Sequence, residues 1–335
     1  MYLFDLSIII VSWNVRKYLK ICLDSIIRYT QGLNYEIIIV DNNSGDGTAD
    51  EVRDTIKKYE DIGIIFIQNV KNDGFSKANN IGLEKAKGEY ILFLNPDTEI
   101  KDNGLKILSE FLNKNPKYGA VGCRILYPDG SIYHPCARGF PTPLKILYHM
   151  MFFTKFFPKS KKFCALNLEY WDKNENSDIE CLVGAFILVR HVVLEQVGSF
   201  RDIFFMYGED IDLCYRVIKG GWKIKYIADS YIVHHTEKSS EQVDNNHFKS
   251  LLIAHSNWLF HRINYGIGYG CIYRFVILIG ALFRSFIAGI MFLVFSVLGF
   301  KNKASLVRNL FIRYLKLLRW ALGMEGWVKD VGHSA

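Results

Sequence analysis

The stretch Tyr90-Ile-Leu-Phe-Leu-Asn-Pro-Asp-Thr98 gives the strongest indication of the fold. Its first five residues form a short apolar run, which is typical of a strand buried on both faces of a parallel sheet. Pro96 ends such a strand because proline cannot donate to the sheet ladder. In open α/β sheets the ligand crevice lies beyond the carboxyl ends of the strands. Asp97 is therefore a candidate ligand for a hard divalent cation, with an ordinary strand-terminating turn as the alternative.

A second acidic cluster, Glu209-Asp210-Ile211-Asp212, follows the apolar residues 204–206. Apolar residues from Ile211 to 218 recur at helical spacing, so we expect Glu209 and Asp210 at a helix N-terminus. Acidic residues also favour the first helical turn for dipole reasons, which is the simpler alternative. Together, the two clusters predict a metal on one side of a cleft and a general base on the other.

Composition indicates a folded chain with a large core. The 335 residues are 50% hydrophobic and 22% charged, which suits one catalytic domain and an appendage. The seven cysteines are scattered without C-x-x-C spacing, so we interpret them as reduced core residues and not as a zinc site or disulfide framework. No basic region precedes the apolar run that begins at Leu6, so no secretory signal peptide is expected.

Apolar runs and helical segments alternate along the first hundred residues. Strands are predicted over 6–11, 36–40, 63–67 and 90–94, with helices over about 16–29 and 48–59 and another that begins within 72–82. This alternation is typical of a nucleotide-binding α/β half, although G-x-G-x-x-G and Walker motifs are absent from the sequence. Asp41, at a strand tip, is a candidate partner for a base or sugar edge, with a ligand-free turn as the alternative. Gly74 allows close backbone approach, and the following helix N-terminus with Lys77 offers positive charge to a diphosphate.

Six segments in this order resemble the inverting family 2 glycosyltransferases of the GT-A fold. They are Ile8 to Asn14, Val40 to Ser44, Asn72 to Gly82, Leu94 to Thr98, Gly184 to Phe186 and Phe205 to Arg216. The resemblance covers about residues 5–240, and the nearest branch is the bacterial rhamnosyltransferase-like one. It implies an α/β domain of the GT-A (nucleotide-diphospho-sugar transferase) type with a mixed, mainly parallel central sheet.

The resemblance also implies roles for individual residues. Asp210 would be the catalytic base beside Glu209, and Asp97 would bind Mg²⁺ or Mn²⁺ that bridges the donor diphosphate. Asn95 stands where the family has the first Asp of D-x-D, which leaves Asp97 as the main carboxylate ligand. His234 or His235 would be a further metal or diphosphate ligand, with a packed or solvated pair as the alternative. The residues expected along the donor site are Ser12, Asn14, Asp41 (to the nucleobase), Asn43, Asn72, Gly74, Phe75, Lys77, Asn79 and Asn95.

We predict a catalytic domain over 1–246, within which 140–177 is a variable insertion that meets the acceptor or a membrane surface. A locally packed helical hairpin is the alternative for the insertion. Residues 247–335 are predicted to be a helical, apolar and basic membrane-association region. Arg284 interrupts the apolar stretch 275–300, which is expected to form a pair of helices lying in or dipping into the cytoplasmic leaflet, followed by a basic amphipathic helix at about 303–322. A single span with Arg284 snorkelling and a soluble dimer-forming tail are the alternatives.

The sequence therefore predicts an enzyme at the cytoplasmic face of the plasma membrane that moves one sugar, with inversion, from a nucleotide sugar to a glycan acceptor. Rhamnose from dTDP-rhamnose is the expected donor, with other dTDP- or UDP-sugars open, and the expected acceptor is a polyprenyl-diphosphate-linked glycan of cell-surface polysaccharide. Nucleic acid is not an expected partner, because the basic residues after 300 lie beside apolar helices. A non-catalytic assembly scaffold and a sugar nucleotidyltransferase are the alternative functions, and a homodimer is kept as an option.

Overall fold

The computed structural model describes residues 2–235 and 246–325. These residues form two compact units, one from 2–139 and 172–235 and the other from 140–171 and 246–325. The division predicted near residue 246 stays a proposal, and the structure groups most of the predicted insertion with the C-terminal helices. Residues 236–245 and 326–335 of the two predicted domains lie outside the described residues.

The first unit is built on a mixed sheet flanked by helices. Its strands are β1 Phe4–Ser12, β2 Tyr35–Asp41, β3 Gly63–Gln68, β4 Gly88–Leu94, β5 Thr98–Ile100, β6 Tyr118–Leu126, β7 Ala137–Arg138, β8 Ser177–Asp178, β9 Cys181–Leu182, β10 Phe186–Arg190 and β11 Lys223–His234. Helices α1 Arg16–Tyr29, α2 Thr48–Lys58, α3 Gly74–Leu83, α4 Gly104–Lys114, α7 His191–Val197 and α8 Glu209–Lys219 belong to it, whereas α5 Pro143–Met150, α6 Phe153–Phe156, α9 Asn246–Tyr265, α10 Ile267–Val297 and α11 Lys301–Ala321 form the second unit.

Within residues 2–235, the main sheet has the order β3-β2-β1-β4-β10-β6-β11-β5, with β8 added beside β11. The β3-β2-β1-β4 part is parallel, and β10 enters antiparallel between β4 and β6. After Asp5 every residue of β1 is buried, and β2 and β4 are nearly as covered. Helices on both faces explain these continuous apolar runs and confirm the predicted buried strands and the mixed sheet.

Strand ends bring the two acidic clusters to one edge of this sheet. β4 ends at Leu94, directly before Asn95 and Asp97, and its neighbour β10 starts opposite it because Phe186 pairs with Leu94. β5 follows at once and pairs with the end of β11, where His234 lies opposite Thr98. The antiparallel crossings therefore place residues from positions 95, 185 and 234 together, although they are far apart in sequence.

The second unit packs four longer helices around an aromatic and aliphatic core. Its largest fully buried side chains are Trp320 and Tyr273, and Gly280 of α10 allows Met150 of α5 to approach within contact distance. A Cβ at Gly280 would lie 2.6 Å from the Met150 sulfur, so only glycine fits this crossing.

The predicted pair of helices over 275–300 is wrong, because α10 is one continuous helix of 31 residues. Arg284 does not interrupt it or snorkel. Its guanidinium donates to the carbonyls of His149 and Met150, at 2.5 and 2.7 Å, and to the Tyr314 hydroxyl at 3.2 Å. These carbonyls belong to the last two residues of α5, so the charge is satisfied inside the unit and the helix continues.

The seven thiols are free, and six of them are buried, as expected for reduced core residues. Among the described helices, α10 alone is long and apolar enough to cross a membrane by length and composition, and one third of its most apolar window is buried against the rest of the unit.

Candidate active site

One part of the candidate site is the loop between β4 and β5 together with the end of β11, and we call it the metal half because a metal is predicted there. Asp97 is 2% exposed, and its Oδ1 lies 3.1 Å from Nε2 of His234, which is 6% exposed. The β11–β5 pairing enforces this contact, because the backbone N–H of His235 donates to the carbonyl of Asp97 at 2.9 Å. The other ring nitrogen of His234, Nδ1, is buried without a hydrogen-bond partner.

The two histidines have different surroundings. His234 packs its ring edge-on against Tyr133, with centroids 5.4 Å apart. His235 is only partly buried, and its Nε2 lies 3.4 Å from Glu99 while its ring contacts Tyr18. His234, and not His235, is therefore the histidine whose ring contacts the Asp97 carboxylate. The sequence alone does not distinguish between the two histidines.

The donor atoms present fit a hard divalent cation. A carboxylate suits Mg²⁺ or Mn²⁺, and Mg²⁺ is commonly bound by one or two carboxylates plus substrate phosphates and water. Among residues 2–235 and 246–325, no group of three His, Cys, Asp or Glu side chains is gathered for a metal. Asp97 and His234 could therefore supply only part of a coordination shell, and metal binding by this pair stays a prediction.

The base half of the site is the start of α8. Tyr207 and Gly208 both have positive φ, of 66° and 97°, and this turn carries Glu209 and Asp210 into the first helical turn. Both carboxyl groups are buried, at 6% and 4% exposure. Asp212, one turn deeper, is fully buried between Arg201 and Arg216, each 2.8 Å away, so its role is structural.

Arg138 is a site residue that the sequence analysis missed. Its Nη2 donates to Oδ2 of Asp210 at 2.6 Å, and the same oxygen accepts the backbone N–H of Gly184 at 3.0 Å. Arg138 belongs to β7, whose short pairing with β9 sets it opposite Cys181. A two-residue strand 72 positions away from Asp210 leaves no spacing pattern in the sequence that indicates this pair.

Glu209 forms no ion pair in the described part of the chain. Its Oε2 is buried without a hydrogen-bond partner. Burial, and after it the negative charge of Asp210, raise the pKa of Glu209 to about 8. At neutral pH Glu209 is therefore mainly protonated.

Two consecutive residues join the halves of the site. Gly184 donates its N–H to Asp210, and the carbonyl of Ala185 accepts the N–H of Asn95 at 3.0 Å. The Gly184-Ala185 backbone therefore lies between the metal loop and the acidic turn. Sequence reasoning had marked this Gly-Ala-Phe segment only through the family resemblance.

The donor half contains the carboxyl ends of β1 and β2. Asp41 is fully buried, and its carboxylate accepts from the hydroxyls of Ser12, at 3.0 Å, and Ser44, at 2.5 Å, and from the N–H of Ser44 at 3.0 Å. It therefore orders the loop after β2. Its predicted contact with a nucleobase stays a prediction.

Asn14 and Asn42 hold the neighbouring loops. The side chain of Asn14 accepts the N–H of Gly45 at 2.8 Å, and Asn14 itself has a positive φ of 52°. Asn42 donates to the carbonyl of Gly74 at 3.1 Å and accepts from Asn69 at 2.8 Å, which ties the β2 loop to α3. Asn43, which was predicted along the donor site, is exposed with φ of 61°, and its contact with a donor stays a prediction.

The start of α3 docks on the segment that leads into the acidic turn. Phe75 donates its N–H to the carbonyl of Phe205 at 2.9 Å, and Gly74 has φ of 81°. A Cβ at Gly74 would lie 2.7 Å from that carbonyl oxygen. Close backbone approach at Gly74 is thus present as expected, although it serves another part of the chain.

The remaining predicted donor residues have partners within the protein. Asn72 caps Gly74 at 2.9 Å, Lys77 pairs with Asp73 at 2.9 Å, and buried Asn79 donates to the carbonyl of Phe75 at 2.9 Å. The first N–H groups of α3 are therefore already used. Diphosphate binding at this helix N-terminus stays a prediction that its contacts do not favour.

An open cleft of about 490 Å³ lies beside the donor half. It is lined by Asn14, Val15, Arg16, Lys17, Tyr18, Lys20, Asp46 and Glu51. Tyr18 connects the cleft to His235 of the metal half. Two of its three cationic side chains are already paired, because Arg16 and Lys20 lie 3.3 and 2.9 Å from the carboxylate of Glu51.

Comparisons with known proteins show what the chain is similar to. Residues 7–168 match the family model described as Glycosyl transferase family 2. N-acetylglucosaminyl-diphospho-decaprenol L-rhamnosyltransferase of Mycobacterium tuberculosis is 28% identical over 241 residues, which are 66% of this chain and 76% of that protein. Rhamnosyltransferase WbbL of Escherichia coli is 25% identical over 252 residues, which are 72% of this chain and 88% of that protein.

The fold agrees as well. The mannosyltransferase PcManGT of Pyrobaculum calidifontis, solved with GDP-Man and Mn²⁺, superposes with a TM-score of 0.55 at 16% identity and covers 97% of this chain and 88% of that one. The fold is of the GT-A type. Residues 7–168 carry the family 2 glycosyltransferase match, and the sequence is rhamnosyltransferase-like.

Proposed function

We propose that this enzyme transfers rhamnose, with inversion, from dTDP-rhamnose to a polyprenyl-diphosphate-linked glycan used in cell-surface polysaccharide. The observation that carries the proposal is the link from Asp210, through the Gly184-Ala185 backbone, to Asn95, two residues before Asp97. It sets a cation-binding carboxylate and an anionic base on one sheet edge. The names of the Mycobacterium and E. coli relatives support the sugar, and the first also supports the lipid-linked acceptor.

Asp97 and His234 would hold Mg²⁺ or Mn²⁺ together with oxygens of the donor diphosphate. Mn²⁺ in the Pyrobaculum structure supports this choice. Such an ion, when bound, would neutralise charge that develops on the leaving diphosphate, so no protein acid is needed to protonate it. Asp97 and His234 keep their positions through the β5–β11 pairing, which preorganises the donor site.

Asp210 is the proposed general base. It accepts the proton of the attacking acceptor hydroxyl while that oxygen forms a bond to the anomeric carbon. The bond from the anomeric carbon to the diphosphate oxygen breaks on the opposite face, so the configuration inverts. The proton ends on Asp210, and the nucleoside diphosphate leaves as an anion.

Membrane attachment is proposed for the second unit. Apolar residues 37% or more exposed recur along α10 every three or four positions and form what we call the α10 stripe: Ile272, Phe275, Ile279, Leu282, Phe286, Ile290, Leu293 and Val297. The opposite face of α10 packs in the unit's core. α10 thus has one exposed apolar face, and α11 carries exposed basic residues. Both features support a helix that lies in the membrane surface at an anionic leaflet more than a helix that spans the membrane.

The test is a transfer reaction with purified protein, dTDP-rhamnose, Mn²⁺ and a polyprenyl-diphospho-N-acetylglucosamine acceptor. We expect a rhamnosylated lipid of opposite anomeric configuration and release of dTDP. Asp210→Asn should lose transfer by at least about 100-fold while Mn²⁺-dependent dTDP binding stays within about threefold. Release of pyrophosphate would favour a nucleotidyltransferase, and binding without transfer to any glycan acceptor would favour a scaffold.

A further inference from the structure

We propose that Arg138 is a positioning residue for the transfer reaction, which fixes Asp210 as the anionic, correctly oriented member of the Glu209-Asp210 pair. The inference rests on the proposed role of Asp210 as general base. It concerns a residue that lies outside every motif that the sequence analysis used.

Arg138 and two backbone groups fix the orientation of the Asp210 carboxylate. Oδ2 accepts from the guanidinium at 2.6 Å and from the Gly184 N–H at 3.0 Å, while Oδ1 lies 2.8 Å from the N–H of Ile211. The two side chains are 25% and 6% exposed, so water competes little for this contact. A carboxylate with donors on both oxygens has little rotational freedom.

Arg138 also decides where the charge of the acidic pair resides. From its position on β7, Arg138 faces Asp210, whereas Oε2 of Glu209 is buried without a hydrogen-bond partner. The other titratable groups that face this cluster are Cys181 and Cys214 and, at the guanidinium, Tyr133. Burial raises the pKa of Cys181 well above its usual value, so that thiol adds no negative charge. Two adjacent buried acids cannot both ionise at low cost, and the single guanidinium favours the negative charge on Asp210.

Fold stability alone gives little reason for this arrangement. Buried ion pairs are often replaced by apolar residues without loss of stability. Arg138 lies on β7, which is only two residues long. The geometry therefore points to control of the acidic turn and not to support of the sheet.

The experiment compares Arg138→Gln, Arg138→Lys and the control Arg201→Gln in the full chain. Arg201 pairs with Asp212, which lies on the same helix, α8, as Asp210. Arg216 still forms an ion pair with Asp212 when Arg201 is lost. We measure kcat/KM for rhamnose transfer as a function of pH, and Mn²⁺-dependent binding of dTDP by calorimetry. Binding serves both as a check of folding and as a readout of the donor site.

We expect Arg138→Gln to lower kcat about 100-fold and to move the acidic limb of the pH profile up by at least about one unit, because a carboxylate without its counter-charge binds a proton more readily. Binding of dTDP should stay within about threefold of the parent. Arg138→Lys keeps the charge but not the fork, so kcat should fall only about tenfold with the limb nearly in place. Arg201→Gln should leave the profile unchanged.

Three outcomes overturn the inference. An acidic limb that stays in place in Arg138→Gln would show that Arg138 does not set the charge of the pair. An equal loss of dTDP binding would make Arg138 a donor ligand. If Arg138→Gln does not fold, a limb shifted by more than about one unit in Arg138→Lys would contradict the role of the charge. Parent protein that neither transfers nor binds would instead refute the proposed function.

Discussion

The imidazole of His234 lies 3.1 Å from the carboxylate of Asp97, although 137 residues separate them. The antiparallel pairing of β5 and β11 closes that gap, because His234 stands opposite Thr98 and His235 bonds to the Asp97 backbone. One strand thus supplies two adjacent histidines to different neighbours. Only the first reaches the predicted metal carboxylate.

His234→Ala should therefore weaken Mn²⁺-dependent dTDP binding more than His235→Ala. We expect a loss of at least about tenfold for the first and about threefold or less for the second, because the imidazole of His234 contacts the Asp97 carboxylate whereas that of His235 contacts Glu99. Calorimetry with and without chelator measures both. Equal effects of the two substitutions would contradict the assignment.

Gly74→Ala should destabilise the catalytic unit and slow transfer. The new Cβ would meet the Phe205 carbonyl at 2.7 Å and force apart α3 and the segment that precedes the acidic turn. Gly130→Ala is the matched control, because Gly130 also has a positive φ, of 83°, with nothing within 4 Å of its Cβ. Urea unfolding should show that the free energy of unfolding falls by about 1 kcal/mol in the control. In Gly74→Ala it should fall by at least about 2 kcal/mol more than in the control. Losses of equal size would show that the contact with Phe205 has no structural weight.

Glu209→Gln should change the pH dependence of stability. Because the folded-state pKa of Glu209 is raised to about 8, its contribution to stability is fully present below the unfolded pKa near 4.5 and is lost as pH rises towards 8. Glutamine cannot ionise, so the free energy of unfolding of the variant, relative to that of the parent, should rise between pH 5 and pH 8 by up to about 3 kcal/mol. Urea unfolding at both pH values tests this, with exposed Glu110→Gln as control. A parallel pH dependence of variant and parent would be inconsistent with a protonated Glu209.

The α10 stripe gives a test of membrane attachment that leaves the core of the second unit intact. Replacing Phe275, Phe286 and Leu293 with Gln should abolish co-sedimentation with vesicles that contain anionic lipid, because each side chain is at least 60% exposed. The same three changes at exposed Val70, Ile107 and Ile203 of the first unit are the control. Unchanged sedimentation of the stripe variant would refute this surface as the membrane contact. Deletion of 272–335 is a poorer test, since it would expose core side chains of α5 and α9, such as Ile146, Met150 and Leu251, that pack on the deleted helices.

Much of the fold was accessible from sequence because buried parallel strands leave uninterrupted apolar runs. β1, β2 and β4 could be located in this way, together with the carboxylates that follow them. The continuous α10 was missed because Arg284 was treated as an interruption, and sequence does not show that the end of α5 offers it carbonyl partners.

The candidate site was predictable where a residue lies at a strand or helix end, as do Asp97, Asp210 and His234. It was not predictable where a partner comes from a short or irregular segment. Arg138 and Asn42 act through contacts across 72 and 32 residues, and neither carries a periodic signal. For Asp41 and Asn79, residue type suggested a ligand, whereas the described hydrogen bonds are internal.

The central claim is that Asp97 anchors a metal-dependent nucleotide-sugar site. Calorimetric titration of dTDP and UDP into the purified protein, with Mn²⁺ and then with chelator, tests it most directly when repeated on Asp97→Ala. We predict binding that needs the cation, prefers dTDP and weakens at least about 100-fold in the variant. Binding of the same strength in chelator, or in Asp97→Ala with Mn²⁺, would contradict the claim.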